Sequence, residues 1–132
     1  MKLEYLSDIG DDGKYKDVVS ENLIRLYNFG QKETTMLVNL IYQRLILDKQ
    51  NLDLTTADFI QSINCHVTLQ LSSNDEGVIK TEKEDTFICK LTEQSYNTII
   101  EYMKAAADSG HNWLCDTSID NIDFLYSAGG TW

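Results

Sequence analysis

Three cysteines and two histidines are the side chains of this 132-residue chain best suited to soft-ligand or nucleophilic chemistry. They fall as Cys65-His66, Cys89 and His111-x-x-x-Cys115. Cys65 and Cys89 each lie twelve residues from Gly77. A symmetric hairpin folded at that glycine would set the two cysteines opposite one another on one face. With His111 and Cys115 beside them, Cys65, Cys89, His111 and Cys115 offer four ligands of the type a tetrahedral zinc site uses. His66, next in sequence to Cys65, points to the other face and stays outside the set.

Two plainer readings compete with zinc. Structural zinc sites usually contain a close Cys-x-x-Cys pair, and this chain has none. Free cysteines are commonly buried and pack as small apolar side chains, which is the expectation here, with a strand-to-strand Cys65–Cys89 disulfide as a further alternative. A nucleophilic pair would use Cys115 as attacker and His111 as base. At that spacing the two meet only on a helix, and Trp113-Leu114 after Gly110 does not favour one. No oxyanion donors or orienting third residue stand out. No cofactor is expected.

Carboxylates form the second candidate set. Asp8-x-Gly10-x-Asp12-Gly13 has the outline of a calcium loop, but Gly10 and Val19 occupy positions where oxygen ligands belong. After Lys104 there is no Lys or Arg, while Asp108, Asp116, Asp120 and Asp123 alternate with Trp113, Phe124, Tyr126 and Trp132. Asp116, Asp120 and Asp123, with Tyr126 and Trp132 at the margin, are therefore the candidate surface for a basic partner protein.

These residues must be held by a fold, and the apolar pattern says which. Leu3 to Leu6 and Leu23 to Phe29 read as strands. Met36, Leu37, Leu40, Ile41 and Leu47 share one arc of a helix over 31–47. Arg44 falls inside that arc, either snorkelling over the core or partnering a carboxylate. Leu52 to Ile60 reads as a strand or irregular edge. Cys65, Val67, Leu69 and Leu71 alternate with polar residues, as do Phe87, Cys89 and Leu91, giving the two arms of the proposed hairpin. Thr92 caps a second helix over 93–108, with Tyr96, Ile99, Ile100, Met103 and Ala107 inward and Gly110 as its stop. Trp113 to Cys115 is a short extended piece, and Ile122, Phe124 and Tyr126 mark a last strand. The expected architecture is a single α+β domain, a two-layer sandwich. In it a mostly antiparallel sheet of about five to seven strands is packed by two amphipathic helices.

Composition narrows the function classes. The formal charge of −10, from 21 acidic against 11 basic residues, opposes nucleic acid and anionic lipid and favours a basic partner. The phosphate-loop, dinucleotide, nucleophile-elbow and zinc-protease motifs are absent. No stretch approaches the ~20 apolar residues of a membrane span. The N-terminus lacks the basic start and apolar run of a signal peptide. Together with three cysteines, this gives a cytoplasmic expectation. A monomer is favoured because like charge opposes self-association. The whole is similar in size, charge and lack of catalytic motif to the small acidic immunity proteins that neutralise cationic nuclease toxins. That similarity is one of type and is carried by no motif. A non-enzymatic immunity- or inhibitor-type binding protein is the expectation, and a small Cys/His metal protein or thiol-dependent enzyme the alternative.

Overall fold

The computed structural model describes residues 1–7, 22–115 and 118–130. The 8–13 run, Asp116 and Trp132 lie outside the described residues. In chain order the elements are β1 (Lys2–Leu6), β2 (Asn22–Tyr27), α1 (Gln31–Ile41), β3 (Leu52–Asp53), β4 (Gln61–Ser62), β5 (His66–Leu71), β6 (Gly77–Lys80), β7 (Thr86–Leu91), α2 (Glu93–Ala105), β8 (His111–Cys115) and β9 (Ile122–Ser127). They form a five-stranded sheet, β4-β1-β2-β9-β8, and a four-stranded sheet, β3-β5-β7-β6. The α+β class matches the expectation, but the strands divide into two sheets and their directions are mixed. β1–β2, β3–β5, β6–β7 and β8–β9 run antiparallel, whereas β1–β4, β2–β9 and β5–β7 run parallel. Alternation reveals which side chains share a face and carries no information about strand direction.

The hairpin at Gly77 is the main correction. Gly77 adopts a left-handed conformation with φ 76° and opens β6. β6 then pairs antiparallel with β7, and β7 enters between β6 and β5, running parallel to β5. Leu69, not Cys65, stands opposite Cys89. The true hairpin turn covers 81–85, where Thr81 Oγ1 bonds the Thr86 carbonyl and Asp85 supplies φ 55°.

Both helices form where the pattern places them, although α2 ends at Ala105 rather than reaching residue 108. The Glu33 carboxylate accepts the Gly30 N–H at 3.2 Å, and Thr92 Oγ1 accepts the Ser95 N–H at 3.2 Å. Residues Tyr42–Leu47 continue α1 as a wider π-type turn, with the Asp48 N–H reaching the Gln43 carbonyl at 2.9 Å. More residues per turn rotate the apolar face, so Leu45 is buried and Leu47, expected inward, is exposed. Among the described residues Arg44 pairs with no carboxylate; its guanidinium donates to the Asn51 carbonyl at 2.9 Å.

Leu23 with Leu125 forms a smaller second cluster, and one main core receives residues from both sheets and both helices. Leu3, Ile24, Leu26, Phe124 and Tyr126 enter it from the first sheet. Val67, Leu69, Phe87 and Cys89 enter from the second, and Leu37, Ile41, Tyr96 and Met103 from the helices. The two sheets also meet along a seam. There the Ser118 hydroxyl donates to the Val78 carbonyl, and the Asp120 carboxylate accepts the Lys80 N–H at 2.8 Å. Among the described residues, no helix is long and apolar enough to cross a membrane.

Candidate functional site

Cys89 occupies an inward position of β7, the second strand of the four-stranded sheet to be fully flanked by neighbours. Cys115 ends β8, an edge strand of the other sheet. A bulge between Trp113 and Cys115 sets Cys115 opposite Phe124 and re-aims it at the shared core, while Trp113 packs beside Leu23 and Leu125 on the outer face. The neighbouring Cys115 thiol and burial push the Cys89 thiol well above its ordinary pKa. Tyr96 lies alongside, its hydroxyl 2.7 Å from the Gln70 carbonyl and 2.8 Å from that of Cys89.

Beside this pair opens a cleft of about 300 Å³, lined by Asp75, Ser95, Thr98, Tyr102, Trp113 and Cys115 among others. The Thr92 N–H at 2.8 Å and the Ser95 hydroxyl at 2.7 Å hold the Asp75 carboxyl below its usual pKa. Cys115 is half-buried on the cleft wall, whereas Cys89 is fully enclosed behind it.

The other members of the expected ligand set are elsewhere. Cys65 precedes β5, roughly 13 Å along the sheet from the level of Cys89. His111 is exposed at the far end of β8, opposite Ser127, and an extended strand separates it from Cys115 by on the order of 12 Å. Neither the four-ligand set nor the Cys115–His111 pair is assembled, and no group of three or more His, Cys, Asp and Glu among the described residues is placed to hold a metal. The cysteines are free.

Burial, with Asp85 and Glu4 nearby, pushes the Cys65 thiol from 9.0 to about 12. Unfolding releases that thiol to ionise at its ordinary value, so its contribution is complete below pH 9 and is lost as pH rises towards 12. Urea unfolding measured between pH 8 and 11 should therefore show falling stability. In Cys65→Ala the decline should be shallower by up to about 1.4 kcal/mol per pH unit. An unchanged slope would remove Cys65 as a cause.

The carboxylate surface is also redrawn. Tyr126 is wholly buried, stacked on Phe29 with centroids 4.2 Å apart and bonded to Thr34 at 2.6 Å. It is withdrawn from the docking set. The alternation that turns Phe124 inward turns Tyr126 inward as well. Asp123 is half-buried opposite Leu23, and Asp120 braces the seam. The residue overlooked by the sequence reading is Ile119, 85% exposed at the tip of the turn over 118–121. Its signal was an isoleucine between Ser118 and Asp120, both turn-forming residues. No protein-family model, no curated protein and no solved structure matches this chain.

Proposed function

We propose that this chain is a non-enzymatic, cytoplasmic, monomeric binding protein of the immunity or inhibitor type, docking on a basic protein rather than on nucleic acid or membrane. The observation that carries this reading is the presentation of Ile119. Ser118 and Asp120, on either side of it, are bonded to β6, and the Asn121 N–H closes the turn on the Ser118 carbonyl at 3.1 Å. An apolar side chain held out on a braced turn, in a chain of charge −10, combines a pre-organised anchor with long-range attraction for a cationic surface. The separation of His111 from Cys115 at opposite ends of β8 supports binding over thiol catalysis, because the attacking thiol is left without its base.

The test is affinity capture from host extract, followed by association kinetics with the recovered protein. Asp116→Lys/Asp123→Lys is the matched variant, with Asp120 kept for its brace. The expected partner is basic. Its association rate should fall as salt rises, and the double variant should associate more slowly at low salt with a flatter salt dependence. Equal rates for both proteins at low salt would remove these carboxylates from the docking surface.

A further inference from the structure

We propose that the free edge of β8 takes up an extended, lysine- or arginine-bearing segment of the partner as an added strand, its basic side chains lowered into the cleft between β8 and α2. The charge of that segment rests on the basic-partner reading; the mode of binding rests on backbone geometry. The Ala128 N–H donates to the Gly110 carbonyl at 3.2 Å, with His111 opposite Ser127 and Trp113 opposite Leu125. Residues that bond across an antiparallel ladder alternate with residues that do not. Asn112 therefore turns its backbone groups towards β9, and His111 and Trp113 turn theirs outward, along an edge with no further strand. Among the described residues no side chain or loop backbone bonds these outward groups. The other margin of the same sheet differs. There Asn64 accepts the Tyr5 N–H at 2.8 Å and donates to the Tyr5 carbonyl at 2.9 Å, and the Ile63 N–H reaches the Leu3 carbonyl at 2.9 Å. One edge is sealed by its own chain and the other stands open to strand addition.

Alternation assigns the side chains of the incoming strand. Residues opposite His111 and Trp113 exchange backbone bonds with β8 and place their side chains on the outer face, where Trp113 packs beside Leu23 and Leu125. Residues opposite Asn112 point the other way, towards α2, as Asn112 itself does in donating to the Tyr102 carbonyl at 2.8 Å. On that side lies the cleft of about 300 Å³, walled by Asp75 and by Ser95, Thr98 and Tyr102 of α2. Among the described residues no Lys, Arg or His lines it. The Asp75 carboxylate is fixed there by the Thr92 N–H at 2.8 Å and the Ser95 hydroxyl at 2.7 Å. An inserted ammonium or guanidinium thus meets a held anion with no cation competing for it. A segment with apolar residues at one parity and basic residues at the other satisfies both faces. A second copy of this chain fits less well, because its charge of −10 brings repulsion to the edge.

The probe is a capped heptapeptide of alternating valine and lysine, with valine at both ends, titrated calorimetrically into the full chain at low ionic strength. Two further forms carry N-methyl groups on the valines or on the lysines. Methylated valines should weaken binding roughly tenfold, since each loses a donor aimed at β8, and methylated lysines should change it less than about threefold. Amide exchange at His111 and Trp113 should slow when the peptide binds. Glutamate in place of lysine should weaken binding roughly tenfold, and Asp75→Asn should narrow that gap. His111→Pro removes an outward donor at the first strand position and should weaken the lysine peptide several-fold. The methylated pair decides the matter on the wild-type chain even if that variant fails to fold. Equal binding of the two methylated forms, or no binding at about 1 mM peptide, would overturn strand addition and leave capture of a basic partner by another surface standing. Equal affinity for the lysine and glutamate peptides would overturn the basic occupant. A dimer in sedimentation, with His111 and Trp113 protected before peptide is added, would overturn it in favour of a second copy.

Discussion

Tyr96→Ala is expected to lower the unfolding free energy by about 3–5 kcal/mol, a large share of the 5–15 kcal/mol typical of natural domains. Tyr96 is fully buried and touches three elements at once: it belongs to α2, and its hydroxyl lies against carbonyls of β5 and β7. Truncation removes the ring from the core and takes away the donor those carbonyls share. Tyr96→Phe separates the two contributions, retaining the ring and losing the hydroxyl for about 1–3 kcal/mol. Burial raises the pKa of this phenol above its ordinary value of 10.0, so its hydroxyl stays protonated where an unfolded tyrosine ionises. The gap between wild type and Tyr96→Phe should accordingly narrow above pH 10. Urea unfolding of the three proteins checks both statements. A Tyr96→Phe variant as stable as wild type at neutral pH would show that the bridging hydroxyl contributes nothing net.

The second large effect concerns binding and not stability. Ile119→Asp should weaken association with the basic partner by roughly 10- to 100-fold, the equivalent of losing about 1.5–3 kcal/mol of apolar burial. The added negative charge would by itself favour a cationic partner, so a loss isolates the apolar contact from the electrostatic one. Because Ile119 is 85% exposed and outside the core, the thermal midpoint should stay within a degree or two of wild type, as about 0.5 kcal/mol implies. Calorimetric titration alongside a melting curve reads the two quantities together. Unchanged affinity would exclude the turn from the interface.

What was legible in the sequence follows from range. Helix α2 was readable from Thr92 through Met103 because its cap and its apolar face are local signals. The inward strand residues Val67, Leu69, Phe87 and Cys89 were readable for the same reason. Strand order was not. β6 is four residues long with two polar or small ends, Gly77 and Lys80, too short to show alternation, and missing it turned a β5-β7-β6 arrangement into a simple hairpin. The Cys65–Cys89 pairing fell with that hairpin. The meeting of Cys89 with Cys115 depends on a bulge in β8 and on how the two sheets approach, which are properties of packing between distant segments. The docking set failed at Tyr126 for another reason. An aromatic residue beside carboxylates was read by composition, although its parity with Phe124 placed it in the core.

The seam between the sheets has a consequence for behaviour in a crowded solution. β6 is the outermost strand of its sheet, and its backbone groups facing away from β7 would otherwise template another chain. At this edge the Val78 carbonyl and the Lys80 N–H are occupied by Ser118 and Asp120 of a distant turn. Of the other edges, β3 and β4 are two-residue strands, too short to recruit a neighbour effectively, and five-residue β8 is the longest left open. The side chains that hold Ile119 outward thus also close the β6 margin of its sheet against strand addition.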